Sequence, residues 1–361
     1  MSAELPVGTL LESADASPAH LIATKLNRHT FWCGQSGSGK TYALGVLLEQ
    51  MMLRTELPIV ILDPNSDFVR LDDLRADADP ALAAALAERD IRVRRPGDPE
   101  RPFHAQFRHL SLRARAAIMQ LDPLRDVEEF NAMLAFENEV PDIPDRDLVR
   151  HLRASGGPLG DRLAMRLENL GVASWDLWAW GDRAITADID DKPDVVVADL
   201  AGFPTQAESR AAALAVLEHL WRNREERIGR LIVIDEAHNL CPPDPVTEVD
   251  RLLTELIVQI AAEGRKYGLW LLLSTQRPTK VHPNAVSQCD NLALMKMSAP
   301  RDLDELSALF GYAPQDLIER SPGFAQGQAL FAGGFVGGAT LVQMGARLTH
   351  EGGIDVPVPL R

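Results

Sequence analysis

Gly34-Gln35-Ser36-Gly37-Ser38-Gly39-Lys40-Thr41 reads G-x-x-x-x-G-K-[ST], the pattern of a loop that cradles a phosphate chain. Each residue type answers a chemical need. The glycines let backbone N–H groups close around an anion with no Cβ in the way. Lys40 can reach the β- and γ-phosphates, and Thr41 can offer a hydroxyl to Mg²⁺. Gln35, Ser36 and Ser38 complete the cradle. Thr30-Phe31-Trp32-Cys33 before the loop reads as a buried strand. Leu44, Leu47, Leu48 and Met51 after it share one helical face. Strand, loop and helix in that order predict a nucleotide site, with ATP and Mg²⁺ as the expected cofactors. The helix dipole would favour the anion further.

Working outward, apolar runs end in acids or small polar residues: Pro58 to Asp63, Asp194 to Asp199, Leu231 to Asp235 and Leu269 to Ser274. Such runs suit parallel strands covered on both faces. Helical periodicity lies between them, at about Gln206 to Arg224 and Thr247 to Arg265. The expected fold is α/β, a mostly parallel sheet with helices on both faces. Right-handed crossovers would then gather Cys33, Asp63, Asp199, Asp235 and Ser274 at the phosphate end of the sheet.

The expected organisation is a discontinuous core over 1–110 and 183–349, a helical insertion over 111–182, and an extended tail over 350–361. Residues 1–29 show no clear pattern, apart from a short strand at His20 to Ala23. Residues 327–345 read as a closing hairpin. Arginine recurs from Arg89 to Arg115, as either a phosphate-contacting groove or a solvated face. Trp175, Trp178 and Trp180 read as packing of the insert or as base-stacking residues.

Composition narrows the function classes. The net charge of −15 disfavours a general nucleic-acid coat and confines any DNA contact to a local stripe. Three cysteines in 361 residues make neither a disulfide framework nor a zinc site, which suits the cytoplasm. No apolar run reaches membrane-helix length and no signal peptide is evident.

Three further motifs carry chemistry. In Leu231 to Glu236, Asp235 sits at a strand tip where it can support Mg²⁺, and Glu236 can deprotonate the attacking water. In Ser274-Thr275-Gln276-Arg277-Pro278, Gln276 is placed to sense the γ-phosphate. Arg265, in Glu263 to Gly268, is placed to act on a neighbouring subunit's nucleotide, and Arg28 is a second candidate for that contact. Asp235-Glu236-Ala237-His238-Asn239 invites comparison with DEAH-box helicases. Those need a second such domain downstream, for which the remaining chain is short.

Together these motifs resemble the HerA-like branch of the HerA/FtsK superfamily. The residues that carry the resemblance are Asn27-Arg28-His29, Asp63-Pro64-Asn65, Asp235 to Asn239, Glu263 to Gly268 and Ser274 to Pro278. It implies a RecA-like ATPase core assembled as a ring, usually a hexamer, with ATP between subunits and DNA as the translocated partner. A nuclease or anti-phage effector often accompanies such motors. Only 33 residues precede Gly34, too few for the N-terminal β-barrel such proteins commonly carry. Two other expectations stand beside the motor: an ATP-sensing scaffold in a multi-protein complex, and a secretion or conjugation ATPase of the same superfamily.

Overall fold

A computed structural model describes residues 4–13, 15–139, 148–179 and 182–353. The expected tail beyond 353 and Trp180 lie outside the described residues. Eleven strands form one sheet. In chain order they are β1 (Glu4–Leu10), β2 (Pro18–Ile22), β3 (His29–Cys33), β4 (Ile59–Asp63), β5 (Ile91–Arg94), β6 (Val195–Asp199), β7 (Arg230–Ile234), β8 (Leu269–Thr275), β9 (Cys289–Met295), β10 (Gln328–Gly333) and β11 (Thr340–Met344). Across the sheet the order is β2-β1-β11-β10-β9-β3-β8-β7-β4-β6-β5.

From β9 to β5 every pairing is parallel. β3, β4, β6 and β7 are buried along their whole length, as continuous Val/Ile/Leu runs require. One apolar layer joins Phe31, Val60, Ile232 and Leu271 to helices on one face. Trp32, Ile61, Val233 and Leu272 form the other layer with the helix Lys40–Arg54.

The remaining strands are antiparallel. The expected hairpin is present as β10 and β11. β1 pairs with β11 and β2 with β1, so the N-terminal stretch is ordered strand rather than mixed coil. Its alternation is broken at Pro6 and Gly8, where the ladder shifts register. Leu5, Val7, Ala19 and Leu21 are nevertheless buried.

Between β5 and β6 lie the helices Leu112–Ile118, Val127–Glu139, Leu148–Ser155 and Gly157–Asn169. Their apolar faces share one core with Gln206–Arg222 and Glu248–Glu263. Trp175 and Trp178 stack at 5.8 Å inside it, and Trp178 Nε1 donates to the Val172 carbonyl at 2.7 Å. These two rings are packing, not a base platform. The arginine run is no open groove either. Arg92 pairs with Asp191 at 2.6 Å, Arg94 with Asp188 at 2.7 Å, Arg101 with Asp72 at 2.7 Å and Arg113 with Glu255 at 2.7 Å. After β9, two helices, Pro300–Leu309 and Gln315–Ile318, stand on either side of Gly311.

Candidate functional site

The phosphate loop leaves β3 and enters the helix Lys40–Arg54. Gly39 caps that helix at φ 85°, a left-handed conformation that costs glycine little. The loop is held on both flanks. Gly34 N donates to the Thr275 carbonyl at 3.3 Å, Gln35 N to the Lys296 carbonyl at 2.8 Å, and Gly327 N to the Ser38 carbonyl at 2.9 Å.

β8 lies between β3 and β7, so three strand tips converge on one ammonium group. Lys40 Nζ lies 2.7 Å from Asp235 Oδ1, 2.8 Å from Ser274 Oγ and 3.1 Å from Glu236 Oε1. Ser274 Oγ donates to Asp235 Oδ1 at 2.6 Å. Lys40, Asp235, Glu236 and Ser274 are all buried. Burial alone would lower the Lys40 pKa, but the two carboxylates outweigh it and hold the group above its ordinary value.

Glu236 stands at φ 41°, a left-handed conformation that is uncommon outside glycine. That turn swings its carboxylate back over the strand tips. Its Oε2 lies 3.1 Å from His238 Nδ1 and accepts from Gln276 N at 3.3 Å. His238 Nδ1 also lies 3.0 Å from Thr275 Oγ1. Burial would raise the Glu236 pKa; His238 and Lys40 outweigh burial and bring it down to about 2. His238 thus belongs to the site, although the sequence assigns it no role. Gln276 reaches Glu236 through its backbone.

The remaining acids come from the loop after β4. Asp63 accepts the N–H groups of Asn65, Asp67 and Phe68 at 3.3, 3.0 and 2.7 Å. It therefore shapes the loop that carries Asp67 to Thr41, whose hydroxyl donates to Asp67 Oδ2 at 3.4 Å. Asp63, Asp67 and Asp235 each offer an oxygen within 4.8 Å of the others. Asp235 Oδ2 is buried with no hydrogen-bond partner among the described residues. Burial raises Asp63 to about 7 and Asp67 to about 6, with the Asp235 charge adding to both. Buried carboxylates crowded this way, one with a lone oxygen, fit a divalent cation beside Thr41. The local sequence identifies Asp63 and Asp235 but passes over Asp67. Asp199 sits one strand away and accepts from Ser66 Oγ at 2.8 Å.

Arg28 and Arg265 lie elsewhere. Arg28 precedes β3 and Arg265 precedes β8, so both sit at the opposite end of the parallel strands from the phosphate loop. The length of β3, about 17 Å at 3.3 Å per residue, separates Arg28 from its own nucleotide cradle. Both meet one carboxylate: Asp290 Oδ2 is 2.6 Å from Arg265 Nη1 and 3.7 Å from Arg28 Nη1. Neither arginine joins the strand-tip cluster within one chain.

His29 opens β3 at this end of the sheet. Its Nδ1 accepts from Leu271 N at 2.9 Å. Burial, then the Arg265 charge, lowers its pKa to about 4. A base with a depressed folded pKa contributes stability that is complete above the unfolded value near 6.5 and fades as pH falls towards 4. His29→Asn keeps an acceptor but does not titrate. Between pH 7 and 4.5, wild type should lose about 2 kcal/mol more unfolding free energy in urea than this variant. Equal losses would show that His29 titrates normally.

With this geometry in place, comparison with known proteins is informative. Residues 5–149 match the family profile described as "Helicase HerA, central domain". The DNA double-strand break repair helicase HerA of Pyrococcus furiosus is 29% identical over 103 residues, covering 28% of this chain and 18% of that protein. Over residues 5–149 the chain is similar to the HerA central domain. The corresponding HerA of Sulfurisphaera tokodaii is 33% identical over 106 residues, covering 29% of this chain and 21% of that one. The matched stretch thus spans about a fifth of each relative's length. Among solved structures, VirB4 of Thermoanaerobacter pseudethanolicus superposes with a TM-score of 0.67 at 15% identity, covering 95% of this chain and 96% of that one. The plasmid coupling protein TrwB, solved with the non-hydrolysable GTP analogue GDPNP, gives 0.57 at 15% identity, covering 96% and 95%. These two likenesses concern the fold alone: the core is a RecA-like P-loop sheet. No helix among the described residues is long and apolar enough to cross a membrane.

Proposed function

We propose that the chain is an ATP-hydrolysing motor subunit that assembles into a ring, a hexamer by its resemblance, and moves DNA. The observation that carries this reading is the separation of two half-sites. Lys40, Asp235, Glu236 and Ser274 meet at one end of the parallel strands. Arg28 and Arg265 meet at the other. In this reading a head-to-tail neighbour brings the second set to the first, and such heterologous contacts make a ring when their rotation closes.

In this reading the backbone of Gly34 to Thr41 and the Lys40 ammonium bind the triphosphate. Thr41, Asp67 and Asp235 would hold Mg²⁺, which supplies charge neutralisation at the β- and γ-phosphates. Glu236 takes the proton of the attacking water, positioned by His238. Gln276, at the tip of β8, senses the γ-phosphate. Arg265 from the neighbour stabilises charge building on the transferred phosphoryl group, with Arg28 beside it.

Mixing two defective subunits tests the shared site. Lys40→Ala and Arg265→Ala should each be inactive alone. Mixed in equal amounts, about a quarter of the head-to-tail interfaces pair an intact cradle with an intact arginine, so ATPase activity should return in part. A monomeric mass with ATP and DNA, together with no recovery on mixing, would rule out the ring. An ATPase rate that stays flat when duplex DNA is added, with nucleotide-dependent capture of a partner, would favour the scaffold over the motor.

A further inference from the structure

Glu49 and Arg347 are buried to within 1% of full exclusion, and the chemistry above uses neither. Yet they join two segments that it does use. Glu49 lies on the helix that begins with Lys40. Its Oε1 accepts from Thr349 N at 2.9 Å and from Thr349 Oγ1 at 2.7 Å; its Oε2 accepts from Leu348 N at 2.8 Å. Arg347 N donates to Tyr42 Oη at 2.8 Å on the same helix. The Arg347 side chain crosses Gly45, where a Cβ would lie 2.4 Å from Nε. Its Cζ lies 5.7 Å from the Phe68 ring, and its Nε lies 3.2 Å from Thr349 Oγ1.

The strap then runs along the loop after β4. His350 N donates to the Asp73 carbonyl at 2.9 Å, and Gly352 N donates to the Asp67 carbonyl at 3.0 Å. A Cβ on Gly352 would fall 1.9 Å from the Ser66 carbonyl oxygen. Asp67 is therefore held from two sides, by the Asp63 carboxylate on its N–H and by the strap on its C=O. Its own carboxylate is turned towards Thr41.

We propose that the strap Arg347–Gly352 is a positioning element: it clamps the phosphate-loop helix to the loop after β4 and so fixes the Asp67 carboxylate opposite Thr41, setting the affinity of the nucleotide-bound site for its divalent cation. This rests on the reading of the strand tips as a Mg²⁺–nucleotide site. Glu49, Arg347 and Gly352 touch neither nucleotide nor metal in this account; they act through Asp67. Outer groups that orient a metal-side carboxylate commonly govern affinity by 10-fold or more.

The test is a Mg²⁺ titration of the full chain with a fluorescent ATP analogue, read as binding rather than turnover. Gly352→Ala should raise the Mg²⁺ concentration for half-saturation about 10-fold and leave nucleotide affinity in EDTA unchanged. Thr349→Val removes the hydroxyl's bonds to Glu49 and from Arg347 with little change of volume, and should shift it in the same direction by less. In Asp67→Asn the requirement is already raised, so adding Gly352→Ala should change it less than about 2-fold, as coupled positions do. Unchanged half-saturation in both strap variants would overturn the proposal, as would fully multiplicative effects with Asp67→Asn. Wild type that does not bind the analogue would remove the nucleotide-site reading; wild type that binds it without regard to Mg²⁺ would leave the phosphate cradle and remove the metal reading and the strap's role with it. Wild type that depends on Mg²⁺ beside indifferent variants would remove the strap's role alone.

Discussion

Glu236→Gln should bind ATP as wild type does and hydrolyse it about 10² to 10⁴ times more slowly, the range a general base contributes. Binding survives because the phosphates are held by the loop backbone and Lys40. Turnover fails because an amide cannot accept the proton of the attacking water. In the nucleotide-free chain the carboxylate is not yet an effective base. Its oxygens are engaged by Lys40 at 3.1 Å and His238 at 3.1 Å, which hold its pKa near 2. A γ-phosphate that draws Lys40 away removes part of that restraint, and burial then raises the basicity of the group. On the proposed reading, arrival of substrate would thus activate the base. Filter binding of labelled ATP beside phosphate release checks both halves. Turnover within about 3-fold of wild type would take the base role away from Glu236.

Much of this centre is legible in the sequence, for a physical reason. Ile59 to Asp63, Val195 to Asp199 and Leu231 to Asp235 are runs of β-branched and aliphatic residues that end abruptly in an acid. A buried parallel strand can present a charge only at its tip, so the residue type also fixes the place. Lys40, Asp235 and Ser274 could therefore be assembled from three distant segments before any distance was known.

What stayed hidden depends on chain partners far away. β1 is interrupted by Pro6 and Gly8, and it is a strand because β11 stands beside it. Glu49 lies in a helix whose local pattern gives no reason to bury an acid; the reason is Thr349, 300 residues on. The arginines from Arg89 to Arg115 read as groove or as surface until Asp72, Asp188, Asp191 and Glu255 are placed against them. Asp67 looks like an ordinary turn acid until Asp63 folds its loop back on Thr41.

Lys40→Ala should do more than abolish nucleotide binding. In the structure Lys40 is the cation that two buried carboxylates share, Asp235 fully enclosed and Glu236 nearly so. Its own charge is stabilised by them against burial. Removing one partner of a buried pair leaves the other uncompensated, at a cost of about 3–5 kcal/mol. The nucleotide-free variant should therefore unfold at lower urea concentration than wild type, with the loss concentrated at this cluster. Lys40→Ala combined with Asp235→Asn should recover part of it, because one of the stranded charges is gone. The double variant still should not bind ATP, so stability and binding separate cleanly. Wild-type stability in Lys40→Ala would mean that the ammonium does not rest on these acids without nucleotide. Wild-type ATP affinity would mean that Gly34 to Thr41 is not the phosphate cradle. On the proposed reading the same arithmetic would let the site wait for substrate: Lys40 neutralises the acids until phosphate comes, and would then give them up to the cation that arrives with it.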